Sequence, residues 1–182
     1  MKKKEKLEEI ALEIEKCKIC KVGKSGKAVP GEGNPDAKIM FLGEAPGKNE
    51  ALMGRPFIGR SGKLLRQALR DVGLREEDVY ITSPVKYLPD RGTPTVKDIE
   101  HGKIHFQKQL DVINPKIIVL LGNSACIAML GTKVPILKRH GEVINEKGRV
   151  YLITFHPSAV LRFPNKYKKD FTEDLKKIEG LA

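Results

Sequence analysis

The sequence predicts an α/β fold: a three-layer α/β/α sandwich built around a four-stranded parallel sheet. Four short apolar runs, Lys38–Leu42, Val79–Val85, Lys116–Leu121 and Val150–Phe155, have the unbroken hydrophobicity of strands buried on both faces. Between them lie segments with apolar residues at helical spacing. Strands that alternate with helices build a parallel sheet through right-handed crossovers, with helices on both sides. Length fits the same picture. At 182 residues and 40% apolar content the chain supports one core, so residues 1–182 are read as a single domain.

The elements follow in order. Lys3–Lys16 is an amphipathic helix with Leu7, Ile10, Ala11 and Ile14 on one stripe. Cys17-Lys-Ile-Cys20 comes next, then a Gly/Lys-rich loop as far as Asp36. The first strand ends at Gly43, and a helix over Gly62–Val72 ends against Gly73, a natural C-cap. Pro84 interrupts the second strand. Val96–Ile113 is a helix with Thr95 as N-cap ahead of Asp98, and after the third strand Asn123 is placed to cap a helix running to Leu130. The fourth strand closes at His156-Pro157, and Pro164–Ile178 is the final helix. Ligands of such sheets collect beyond the carboxyl ends of the strands. That directs attention to Gly43–Gly47, Ser83–Tyr87, Gly122–Ser124 and His156–Ser158.

Charge narrows the partners. A net charge of +11 draws the chain toward phosphate backbones, although a lysine-rich surface also serves solubility. No apolar run reaches membrane-spanning length, and the charged N-terminus reads as neither signal peptide nor anchor. A cytoplasmic, intracellular monomer with no membrane partner is expected; nothing in the sequence marks a protein partner. Three cysteines, Cys17, Cys20 and Cys126, argue against a disulfide framework and leave the CxxC as half of a metal site. Cys126 reads as a small buried residue.

Three segments carry chemistry. In Gly43-Glu44-Ala45-Pro46-Gly47 the turn lets backbone amides approach a ligand, and the Glu44 carboxylate can orient water or stabilise a developing cation; taken alone, the segment reads first as a tight strand-to-helix turn with a surface acid. Gly54–Gly62 (GRPFIGRSG) offers Phe57 for stacking a base and a helix start at Arg60 and Ser61 for a DNA phosphate, unless Phe57 belongs to the core. Phe155–Arg162 (FHPSAVLR) places His156 to donate a hydrogen bond to a ligand oxygen, with Ser158, Leu161 and Arg162 following.

Taken in order, CxxC, GEAPG, GRPFIGRSG, YIT…K, PKIIVLLG and FHPS…LR resemble the uracil-DNA glycosylase superfamily, and within it the iron–sulfur family 4 branch. The resemblance spans Lys16 to Arg162 and implies a DNA-repair hydrolase that flips a deaminated base, uracil above all, out of the duplex. It makes Glu44 the acid near the sugar and His156 the donor to uracil O2. Amides at Gly43 and Ala45 hold the base and Phe57 stacks on it. Arg60, Ser61, Ser158, Leu161 and Arg162 contact DNA, with Leu161 and Arg162 at the gap left by the flipped nucleotide.

The sequence departs from the family pattern twice. Ser83 stands where the resemblance expects a uracil-reading asparagine, so the two-point amide face is missing. This admits hypoxanthine or xanthine as alternative bases, and a wall near Glu50 is expected to exclude the thymine methyl. A non-catalytic module that binds DNA damage is the third reading. The family's [4Fe–4S] cluster also has only Cys17 and Cys20 of its four thiolates, because Tyr87 and Gly102 occupy the other two positions. His101 and His105, spaced i, i+4, offer a Cys2His2 alternative for zinc or an unusual cluster; a metal-free protein is the other outcome. Lys86, Arg91 and Arg139 are candidates to flank a DNA channel, and His140 for a local structural role.

Overall fold

Three parallel pairings join the four apolar runs: the second strand lies beside the first, the first beside the third, and the third beside the fourth. The computed structural model describes residues 2–181. Its elements are α1 (Lys3–Lys16), α2 (Lys18–Lys21), β1 (Lys24–Ser25), β2 (Glu32–Gly33), β3 (Ile39–Leu42), α3 (Lys48–Met53), α4 (Arg60–Asp71), β4 (Val79–Thr82), β5 (Leu88–Pro89), α5 (Val96–Ile113), β6 (Ile117–Leu121), α6 (Asn123–Leu130), α7 (Ile136–Arg139), β7 (Val143–Glu146), β8 (Arg149–Thr154), α8 (Pro157–Arg162) and α9 (Pro164–Lys176).

The main sheet has six strands in the order β2-β4-β3-β6-β8-β7. The expected four-stranded parallel sheet is its centre, and an antiparallel strand extends each edge. Both edges lack a strong sequence signal. β2 is a Glu-Gly pair inside the loop before β3, and β7 is only partly covered. What creates β7 is the two-residue turn Lys147-Gly148, with φ of 51° and 77°, which folds it back on β8.

Alternate strand residues feed two cores. Met40, Leu42, Ile118 and Leu120 pack under α5 and α6 with Phe106 and Leu110, while Phe41, Val119, Leu121 and Leu152 pack with Leu65, Leu69, Val160 and Phe171 from α4, α8 and α9. α1 lies outside α5, where Ile10 and Ile14 meet Cys20 and Tyr87. Thr95 caps α5 as expected: its Oγ1 accepts from the Asp98 amide at 3.2 Å, and the Asp98 carboxylate accepts from the Thr95 amide at 2.8 Å. Asn123 does not cap α6. Gly122 takes that place, and Asn123 Oδ1 instead accepts from the Val134 amide at 2.7 Å.

Candidate active site

The carboxyl ends of β3, β4 and β8 open onto one cavity of about 480 Å³, whose walls include Glu44, Ala45, Phe57, Ser83 and His156. Arg60, Ser61, Ser158 and Arg162 line it as well, whereas Leu161 does not. A larger cleft of about 1060 Å³ between α1 and the Gly26–Gly33 loop contains none of these groups.

His156 ends the run from β8 and serves as the N-cap of α8. Its Nδ1 accepts the Ser158 amide at 3.1 Å and lies 2.7 Å from the Ser158 hydroxyl. A ring nitrogen that accepts a backbone N–H carries no proton, so the neutral imidazole holds its proton on Nε2. Burial pushes the His156 pKa below the ordinary histidine value, with the Glu44 charge pulling weakly the other way. The neutral tautomer that donates from Nε2 is therefore the resting state at pH 7.

Glu44 leaves β3 and turns toward α6, where Ser124 Oγ donates to its Oε2 at 2.8 Å. One oxygen is thereby fixed and the other is left to work. Ser124 follows Gly122 at the end of β6; its stretch was marked by the strand-end rule, but no sequence signal gave it this role.

Phe57 is both stacking candidate and core residue. It is 8% exposed, packs against Leu65 and Leu69, and its ring centroid lies 5.9 Å from that of His156. Its φ of 49° is rare for a residue with a side chain, and two groups hold the loop there. The Glu50 carboxylate accepts from the amides of Ile58 and Gly59 at 2.8 and 2.7 Å. From the other side, Arg66 donates to the carbonyls of Phe57 and Pro56 at 2.9 and 3.0 Å. Gly62 completes the fit, because a Cβ there would lie 1.9 Å from the Phe57 carbonyl carbon. Glu50 Oε1 thus holds the loop that carries Phe57, and the side chain also lines the cavity, where a wall near the base was expected.

The expectation that the Gly43 amide holds a base is corrected too. That amide donates to Thr82 O at 2.9 Å within the sheet. What Gly43 provides is room: a Cβ would come within 2.6 Å of the Phe57 ring and 3.0 Å of Ser83 Oγ. The amide of Ala45 has no acceptor among the described residues.

Lys86 does not flank a DNA channel. It is 1% exposed, and its ammonium donates to Pro30 O, Thr82 Oγ1 and Gln109 Oε1 at 3.0, 2.8 and 2.7 Å. Burial pulls its pKa down toward about 7, but three acceptors need three donors, which only the charged form supplies. Arg139 is paired with Glu142 at 2.6 Å, and Arg91 is exposed. His140 has the local role expected of it, with Nδ1 3.1 Å from Asp174 Oδ2 and its ring against Phe155. Cys126 is buried, as expected.

On the far side of Ser83–Tyr87, one ligand atom each from Cys17, Cys20, His101 and His105 gather within 4.8 Å of one another, a group that could hold a metal. These residues do not fit a four-thiolate cluster. Tyr87 donates its hydroxyl to Ile14 O at 3.2 Å, and a Cβ on Gly102 would lie 2.0 Å from Pro84 O.

A sheet with a partly polar cavity at its carboxyl ends, a carboxylate on one wall and a histidine on another, fits a hydrolase that takes a nucleotide into that cavity. Comparison with known proteins bears this out: a sequence model of the uracil DNA glycosylase superfamily matches residues 30–178. The chain belongs to that superfamily, whose members cleave N-glycosyl bonds. It is similar to the type-4 uracil-DNA glycosylase of Sulfurisphaera tokodaii, 41% identical over 97% of this chain and 84% of the relative. The type-4 uracil-DNA glycosylase of Thermotoga maritima is 41% identical over 97% of this chain and 95% of its own, and that of Archaeoglobus fulgidus 37% identical over 98% and 94%. Among the described residues no helix is long and apolar enough to cross a membrane.

Proposed function

We propose that the protein hydrolyses the N-glycosidic bond of uracil flipped out of DNA, with Glu44 and His156 as its catalytic residues. The observation that carries this is the fixed tautomer of His156 in a cavity shared with Glu44. As the bond between the base and C1′ breaks, its electron pair moves into the uracil ring and charge builds on O2. The Nε2–H of His156 donates to that oxygen. C1′ becomes cationic, and Glu44, held by Ser124, steadies it and orients the water whose oxygen adds there. The water that has added gives up a proton through the Glu44 carboxylate to solvent, and the uracil anion takes one from solvent, leaving free base and an abasic sugar.

Phe57 stacks on the flipped base, the Ala45 amide and Ser83 hydroxyl face its edge, and Arg60, Ser61, Ser158 and Arg162 contact the DNA backbone, with Leu161 filling the vacated stack. The Cys17, Cys20, His101 and His105 group would hold a structural metal outside the reacting atoms.

The test is an end-labelled oligonucleotide with one uracil, incubated with protein and then treated with alkali. Breakage at the uracil is expected, slowed about 10²–10³-fold by His156→Ala. No breakage in either single- or double-stranded substrate would overturn the proposal, and parental rates in both His156→Ala and Glu44→Ala would overturn the site. Ser83 supports a second reading, a deaminated purine such as hypoxanthine or xanthine, since a hydroxyl does not impose the two-point match of an amide. Faster release of a purine lesion in a panel of modified oligonucleotides would favour it.

A further inference from the structure

We infer that Cys17, Cys20, His101 and His105 form a mononuclear tetrahedral metal centre, for zinc, in place of the four-thiolate iron–sulfur cluster of related glycosylases. The four residues come from three elements. Cys17 closes α1, Cys20 lies on the single turn of α2, and the two histidines sit one turn apart on the same face of α5. Cys17 Sγ and His101 Nε2 are 3.2 Å apart, and all four ligand atoms fall within 4.8 Å of one another.

Size decides between the two kinds of centre. Zinc bonds sulfur at about 2.3 Å and imidazole nitrogen at about 2.0–2.1 Å, so a tetrahedron of such bonds has edges of roughly 3.3–3.8 Å. The observed group matches that scale, with one pair 3.2 Å apart and no pair beyond 4.8 Å. A four-iron cube binds each ligand to a different iron. Iron and inorganic sulfur atoms then separate every pair of ligands, which needs a wider cage with four thiolates. Two thiolates are missing here, and neither replacement can act for one: the Tyr87 hydroxyl is engaged with α1, and Gly102 packs against the Pro84 carbonyl.

The donor set agrees. Two thiolates and two imidazoles are the ligands of closed structural zinc sites, and no position is left open for water or substrate. His105 adds an independent observation: it is 7% exposed, and its Nδ1 is buried without a hydrogen-bond partner. That atom lies 4.0 Å from Glu13 Oε2, too far for a hydrogen bond, and a ligating role for His105 would account for a buried imidazole left without one. The centre ties the end of α1 to α5 and so braces the segment that runs from Tyr87 back to Ser83.

The test needs no substrate and so stands or falls apart from the glycosylase proposal. Protein purified without chelators is assayed for metal and acid-labile sulfide, and apoprotein is titrated with Co²⁺. One zinc per chain is expected, without sulfide. Cobalt should give intense tetrahedral d–d bands and a thiolate charge-transfer band, both weakened by Cys20→Ser and by His105→Ala. If Cys20→Ser fails to fold, His105→Ala and the parent protein still decide the matter. Four irons with sulfide after anaerobic reconstitution, an octahedral cobalt spectrum, or no metal retained at micromolar concentration would each overturn the inference.

Discussion

Glu50→Gln weakens the acceptor that holds the loop carrying Phe57. Both amide hydrogens fall on one carboxylate oxygen, Oε1, at 2.8 and 2.7 Å, so glutamine keeps the acceptor but loses the charge that strengthens both bonds. Hydrogen bonds to a charged group contribute about 1.5–3 kcal/mol each, against about 0.5–1.5 kcal/mol for neutral ones. Exchanging two charged bonds for two neutral ones therefore costs about 2–3 kcal/mol. Opening the loop releases the strain of Phe57 at φ 49°, worth roughly 1–3 kcal/mol, so the parent loop is held closed by a narrow margin. The substitution should let Phe57 leave its place 5.9 Å from His156. A net shift of about 1–2 kcal/mol corresponds to a fall of about 5–30-fold in kcat/KM on a uracil oligonucleotide. Melting should drop by only a few degrees, because the sheet and both cores are untouched. The assay pairs single-turnover base release with thermal unfolding. A kcat/KM within twofold of the parent would show that Glu50 does not position Phe57.

Ser124→Ala frees the Glu44 carboxylate from its one side-chain donor and should lower kcat about tenfold with little change in KM; a pure KM effect would place Ser124 in substrate binding instead. For His156 the acid limb of kcat/KM should lie below pH 6.5, because burial depresses its pKa and protonation breaks the Ser158 amide contact. The unfolded chain then binds the proton first, so stability from this group is complete above pH 6.5 and is lost as pH falls toward the depressed value; a limb above 6.5 that vanishes in His156→Gln would refute the assignment. Lys86→Met removes the shared donor to Gln109 and Thr82, leaving Gln109 Oε1 only the long 3.3 Å contact from the Thr82 hydroxyl, and should cost about 1–3 kcal/mol, read as a loss of melting temperature; an unchanged melt would mean the network carries no net stability.

The central sheet was legible because its signal is local. Each of Lys38–Leu42, Val79–Val85, Lys116–Leu121 and Val150–Phe155 is mostly apolar, and each contains a strand of the parallel core. The edge strands were not, since they follow from partners distant in sequence and from one turn at Lys147-Gly148. The same distinction runs through the site. Glu44, Phe57 and His156 stand out because glycines and prolines mark their turns. Ser124 and Arg66 carry no such mark of their own: a serine and an arginine on helices read as ordinary polar residues until the fold aims them at Glu44 and at the Phe57 loop. Lys86 misled for the opposite reason. A lysine in a basic protein invites a DNA contact, and only the convergence of Pro30, Thr82 and Gln109 reveals a buried cation.

Ser83 and Tyr87, two of the three positions where the sequence resemblance leads one to expect other residues, lie on one short segment after β4. Ser83 faces the base cavity, and Tyr87 packs with Cys20 against α1. Between them Lys86 is pinned to Thr82 and Gln109, which fastens the segment to the start of β2 and to α5. A five-residue segment thus joins the cavity wall to α5, which carries two of the proposed metal ligands, and on that proposal a change in ligand chemistry at one end bears on the position of the other. Restoring asparagine at Ser83 alone tests how rigid that connection is. If the segment is held by Lys86 and α5, Ser83→Asn should sharpen uracil over hypoxanthine with no change in metal content. A loss of bound metal on that substitution would show instead that the segment moves as one lever between the two sites.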